Sequence, residues 1–242
     1  RKAGDPLAAA EHYTRAAHEA AEMGAPKIAL GHVQQALALL QGLPRTPERR
    51  RIRGEALLEL GQLQWQSSAP ELGFSLAQAL TTLEAAAAEL GTTAPTAVAV
   101  QLCQAIAGVC FERGDAKSLV RALQELASAS RMLLAEGDQT GAARLLNDQA
   151  AVLVRMGDPV QALHLLRESR KVFQARSEED PVALRELAET DHLFARLPLH
   201  AEMRAGRELE GYRAGLAHAQ KAERAYRQLG DARELGRLWE TM

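Results

Sequence analysis

The chain reads as an all-α protein, a row of antiparallel helical hairpins. Three observations predict this. A turn built on Gly and a small or acidic residue, followed by Ala-Leu at helical spacing, recurs: Met23-Gly24-Ala25-Pro26 precedes Ala29-Leu30 and Ala36-Leu37, Met156-Gly157-Asp158-Pro159 precedes Ala162-Leu163, and Gly114-Asp115 and Gly230-Asp231 repeat the turn. Apolar residues make up 47% of the 242 residues but aromatics only 4%, so burial falls to Ala and Leu, which allow close helix packing. No stretch alternates apolar and polar residues for long enough to argue a strand. Self-similarity over a few tens of residues implies supersecondary units that bury their apolar faces against their neighbours, a solenoid. The expectation is a single repeat domain over 1–242 with about five to six hairpins.

The helix starts are legible because Pro repeatedly sits just after a capping residue, where its missing N–H is harmless and its fixed φ suits the first turn. Asp5-Pro6, Thr46-Pro47-Glu48, Asp158-Pro159 and Asp180-Pro181 show this pattern. With Pro26, Pro70, Pro95, Asp115, Asp138 and Asp231 as further start signals, helices are expected near 6–23, 26–41, 47–66, 69–90, 95–113, 115–135, 138–156, 159–176, 181–196 and 231–242. Ser67-Ser68 reads as capping. Pro198 is expected to end a helix, and Gly206, Gly211 and Gly215 to weaken helical continuation after it, leaving a short helix near 199–209 and a longer one near 212–229. Short turns between such helices make neighbours antiparallel.

Composition excludes several classes. A formal net charge of −2 gives no overall attraction to phosphate backbones, so no direct nucleic-acid binding is expected. No apolar run approaches the roughly 20 residues that cross a bilayer, so no membrane partner is expected. Cys103 and Cys110 lie on one face of one predicted helix, too far apart along its axis to bond, and read as buried thiols of a reducing cytoplasm. The chain starts Arg1-Lys2-Ala3 and stops at Met242 inside a helical pattern, which reads as a piece of a longer protein.

Catalytic and cofactor signatures are missing. There is no Gly-x-x-x-x-Gly-Lys-Ser/Thr phosphate cradle and no Gly-x-Ser-x-Gly elbow. His18-Glu19 lacks the second imidazole of a zinc helix, and the remaining histidines are scattered. The expectation is no enzyme, no metal and no cofactor. The densest positive patch is Arg45, Arg49, Arg50, Arg51 and Arg53 at a helix start, where guanidiniums oppose the macrodipole. It reads as an anion or acidic-partner contact or, the favoured reading, as a solvated first turn partly neutralised by Glu48 and Glu55.

The repeating pattern resembles the tetratricopeptide repeat, whose period is 34 residues. Tyr13, Ala17, Ala20, Gly24, Ala29, Leu30, Val33 and Ala36 fall on its packing positions in one unit, and Leu146, Ala150, Leu153, Gly157, Asp158, Ala162, Leu163 and Leu166 do so in another. Gly114 and Gly157 are further apart than one period, and the Pro that ends each second helix of the family is absent. A narrower resemblance, through Ala36-Leu37-Ala38-Leu39-Leu40, Leu43-Pro44-Arg45-Thr46-Pro47-Glu48-Arg49 and Leu57-Leu58-Glu59-Leu60-Gly61, is to the helical region after the nucleotide-binding module in bacterial signalling proteins of the STAND ATPase type. That group includes ATPases coupled to adenylate cyclase or Ser/Thr kinase domains.

These resemblances imply a right-handed superhelix of hairpins acting as a non-catalytic protein- or peptide-interaction module of a cytoplasmic bacterial signalling or regulatory protein. The alternative they imply is a ligand-sensing helical domain controlling an ATPase or transcription module elsewhere. Degenerate ends make a homo-oligomer plausible. Carried onto the first helix of each hairpin, the groove positions of the repeat fall on Gln101, Gln104, Phe111 and Glu112, on Arg144, Asn147 and Arg155, and on Gln62, Trp65 and Gln66. Amides there would hold a peptide backbone and Arg a carboxylate; the alternative is that Trp65 and Phe111 fill core gaps. Replacing Arg144 and Asn147 by Ala is expected to weaken partner capture and leave the melting temperature nearly unchanged.

Overall fold

The computed structural model describes residues 5–66, 73–205 and 208–241. Within them the chain is all-α, with consecutive helices packed in pairs as in a helical-repeat solenoid and no strand among the described residues. The helices are α1 (Pro6–Glu22), α2 (Pro26–Leu40), α3 (Pro47–Gln66), α4 (Leu76–Leu90), α5 (Thr96–Arg113), α6 (Ala116–Ala135), α7 (Gln139–Met156), α8 (Pro159–Gln174), α9 (Pro181–Ala205), α10 (Glu208–Leu229) and α11 (Ala232–Thr241).

The recurrent turn does two jobs at once. At Gly157, φ is +84°, a left-handed conformation that glycine adopts without a Cβ clash. Its N–H donates to the Val154 carbonyl at 3.0 Å and the Asp158 N–H to the Leu153 carbonyl at 2.9 Å, which satisfies the last carbonyls of α7. The Asp158 carboxylate then accepts from the Gln161 N–H at 3.0 Å and caps α8. Gly-Asp at 137–138 and 230–231 closes and reopens the chain in the same way. The four Pro-marked starts also hold: Asp5, Thr46, Asp158 and Asp180 each accept from a first-turn N–H of α1, α3, α8 and α9.

The chain divides at Arg121, within α6, into two compact units. In the first, α1 pairs with α2 and α3 with α4, while α3 also lies beside α1 and α5. Its core is built from small residues meeting branched ones: Ala10, Ala36, Leu40, Ile52 and Ala56 form one cluster, and Ala17, Ala20, Ala29, Val33 and Leu63 another. In the second unit α7 pairs with α8 and α9 with α10, α9 lies beside α7, and α11 closes on α10. Ala150, Leu153, Ala162, Leu166, Phe194 and Leu197 fill the first half of this unit, and Ala188, Ala195, Ala219, Ala222, Tyr226 and Leu238 the second.

Two expectations of helix extent change. Pro198 does not end α9, which runs on to Ala205. The reason is tertiary: α9 and α10 form the most extensive helix pair among the described residues, and at Gly215 the α10 backbone lies so close that an added Cβ would sit 2.8 Å from the Ala195 carbonyl oxygen. Gly215, expected to weaken a helix, is the residue that admits this approach, so packing outweighs the cost of proline and glycine. The expected start of α4 at Pro70, like Ser67-Ser68, lies outside the described residues. Its observed start is a capping box in which Ser75 Oγ accepts from the Gln78 N–H at 3.2 Å and the Gln78 side chain accepts from the Ser75 N–H at 2.9 Å.

Candidate partner-binding faces

The first helices of successive hairpins are tied to one another by polar side chains. In the first unit Arg51 of α3 reaches Glu11 of α1 at 2.8 Å, and His18 of α1 meets Glu59 of α3 at 3.0 Å. In the second, Arg144 Nε of α7 donates to Glu186 Oε1 of α9 at 2.7 Å and Asn147 Nδ2 donates to Thr190 Oγ1 at 2.9 Å. Partners in these four contacts are 40, 41, 42 and 43 residues apart, so the structural repeat is longer than the 34-residue period.

The Asn147 contact is part of a chain. Thr190 donates its hydroxyl hydrogen to the Glu186 carbonyl at 2.7 Å and so must accept from Asn147, which fixes the amide orientation. Asn147 is 4% exposed, a buried strut between α7 and α9. Its Oδ1 and Glu186 Oε2 are buried without a donor among the described residues. Arg144 and Arg155 of α7 are exposed.

Beside this strut lie carboxylates that the groove positions did not include. Asp148, one turn from Arg144, retains solvent contact, and neither Asp148 nor Glu189 forms a hydrogen bond or ion pair among the described residues. The surrounding protein desolvates the Asp148 carboxyl, and Glu189 and Glu186 add like charge against the attraction of Arg144; together they push it up to about 7. Glu189 is raised as well, by burial first and then by Glu186 and Glu234, against Arg237 and Arg185. The sequence signal for this group was weak, since Arg144 and Asp148 at i and i+4 read as an ordinary solvated helix pair.

In the first unit the positions carried from the repeat come together differently. Gln101, Gln104, Gly108 and Phe111 share one face of α5, and the Trp65 indole of α3 rests on Gly108, in the space where a Cβ would project. Gln101 is exposed; Gln62, Trp65, Gln104 and Phe111 are half-buried. Cys110 is buried, but Cys103, expected buried too, is only half so; neither forms a disulfide.

A second polar node lies inside the second unit. Asp191, 3% exposed, takes Arg170 Nε at 3.1 Å and His218 Nδ1 at 2.7 Å on the same oxygen, and the His218 ring stacks on Phe194 with centroids 4.7 Å apart. This joins α8, α9 and α10 and accounts for one of the scattered histidines. Among the described residues no group of His, Cys, Asp or Glu side chains is arranged to hold a metal ion, and no helix is long and apolar enough to cross a membrane. No protein-family model and no curated protein sequence matches the chain.

Proposed function

We propose that this chain is a non-catalytic module that binds a protein or peptide, within a cytoplasmic bacterial signalling or regulatory protein. The observation that supports this most is the face of α7 and α9, where Asp148 and Glu189 stand in solvent contact with no partner among the described residues, beside Arg144. Carboxylates whose charge the fold leaves uncompensated gain from a donor-rich ligand, and an extended chain with N–H groups and basic side chains offers one. In the first unit, the α5 face with Gln101, Gln104 and Phe111 beneath Trp65 combines amides with aromatic surface, a composition suited to a peptide backbone and an apolar side chain. Asn147, one of the carried-over groove positions, acts in this reading as a strut behind the face.

The experiment is selection of binders from a random-peptide library against the whole chain, then titration of a synthesised winner. Asp148→Asn with Glu189→Gln, or Gln101→Ala with Phe111→Ala, is expected to weaken binding about tenfold or more with circular dichroism unchanged. Winners whose affinity ignores both pairs of substitutions defeat the proposal.

A further inference from the structure

Arg45, Arg50 and Arg53, of the arginine cluster at the start of α3, take no part in these faces and border open space. A cleft of about 490 Å³ opens between the first turns of α3 and the last of α4, walled by Arg45, Arg50, Arg53 and Glu89 over a floor of Leu57, Ala85 and Ala88. A second recess of about 520 Å³ adjoins it, sharing Arg45, Arg50 and Glu89 and lined also by Glu48 and Arg51. Arg45 therefore stands between the two, exposed and without a polar partner among the described residues.

The other two guanidiniums are held in place. Glu89 takes Arg53 Nε at 3.1 Å and Arg50 Nε at 3.5 Å, and Arg50 Nη2 donates to the Ala88 carbonyl at 2.9 Å. One carboxylate thus orients two forks without matching their charge, and with Arg45 the cleft keeps two positive charges in excess. Holding these arginines together costs repulsion, and they also oppose the positive end of the α3 dipole. The first recess gives no compensation beyond Glu89. The neighbouring Arg51 is already committed to Glu11 and Glu55.

Three guanidiniums lining one cleft, of net charge +2 with Glu89 counted, match a tetrahedral dianion, which accepts planar forks from several sides at once, better than they match a single planar carboxylate. The floor adds a second requirement. Leu57, Ala85 and Ala88 offer apolar surface in a cleft larger than a bare phosphate group needs, so the ligand carries a carbon body. We propose that the α3–α4 cleft is a binding site for an organic phosphomonoester, its phosphate on Arg45, Arg50 and Arg53 and its apolar part on Leu57 and the two alanines.

The probe is phenyl phosphate, titrated calorimetrically into the full chain beside inorganic phosphate, which has the head group alone, and benzenesulfonate, which has the ring with a single charge. Phenyl phosphate is expected to bind at one site and more tightly than either. Arg45→Gln and Arg53→Gln should each weaken it about tenfold, and Arg131→Gln on α6, which is not among the residues lining the cleft, should not. Arg45 makes no polar contact among the described residues, so its replacement keeps the test free of misfolding. The proposal is overturned if phenyl phosphate binds no better than inorganic phosphate or benzenesulfonate, or if Arg45→Gln leaves its affinity unchanged.

Discussion

The Leu83 side chain of α4 fills the place beside Gly61 of α3: a Cβ added to Gly61 would lie 2.5 Å from Leu83 Cδ2 and 2.6 Å from Cγ. One heptad away the same fit recurs between Gly54 and Leu90, with the Leu90 Cγ again 2.5 Å from an added Cβ. The two glycines are holes and the two leucines knobs of one antiparallel hairpin. Gly61→Ala should therefore destabilise the chain by about 1–2 kcal/mol, because overpacking against a branch carbon outweighs the helix propensity gained. Urea unfolding reads the loss, and Leu83→Ala in the Gly61→Ala background should recover part of it as a coupling energy. Gly61→Ala more stable than the parent would mean that α3 and α4 are not in this register.

Asn147→Ala is expected to lower stability by about 1–3 kcal/mol, since it leaves the buried Thr190 hydroxyl without its donor. Arg144→Ala takes the donor from the buried Glu186 carboxylate, but water can enter where the exposed guanidinium stood, so it should cost less than Asn147→Ala. Burial of Asn147 thus reverses the sequence expectation that both could be replaced without a change in melting temperature. Thermal unfolding of the two single variants separates them; equal and negligible shifts would return Asn147 to the surface.

What the sequence made legible is local chemistry. Asp158 and Gly157 announce themselves because the groups they satisfy lie within five residues of them, and the same holds for Asp5, Thr46 and Asp180. Pro198 misled for the converse reason: the packing that carries α9 past it comes from Gly215 on another helix. The candidate faces were half legible. Repeat positions led to Arg144 and Trp65, but the carboxylate that takes Arg144 is 42 residues away, and nothing in a one-dimensional pattern says that Asn147 points inward while Asp148 does not. Spacing finds the helix and a rough face; the neighbouring helix decides which member of the face is buried.

Asp148 gives the chain a pH dependence of definite sign. Its folded carboxyl titrates near 7 and an unfolded one near 3.8, so between these values the folded state holds a proton that the unfolded state has released. Stability contributed by this group is full below the lower value, falls as pH rises, and is lost above about 7. Glu189, raised by burial and by Glu186 and Glu234, acts in the same direction. His192 is depressed by burial and by Arg196 and Arg237, so it opposes them on the acid side. Asp148→Asn should unfold at higher urea than the parent at pH 8 and no higher at pH 4, an effect reduced by the carboxyl's solvent contact. Carbon-13 NMR of the carboxyl checks the cause directly, and an ordinary aspartate titration would remove it.

Trp65 offers an optical test of the α3–α5 contact. The chain has two tryptophans, and Trp239 is 55% exposed, so Trp239→Phe leaves Trp65 as the reporter. The indole lies against Gly108 with no room for a methyl group between them, and, being the far end of its side chain, it can swing aside. Gly108→Ala in that background should then shift the emission to longer wavelength as the ring moves into water, with little loss of stability because alanine favours the helix by about 1 kcal/mol over glycine. A peptide that uses the α5 face should shift the parent's emission the other way, and lose affinity for Gly108→Ala, because the displaced ring no longer forms part of that face. Unchanged emission in Gly108→Ala would show that Trp65 does not rest on α5.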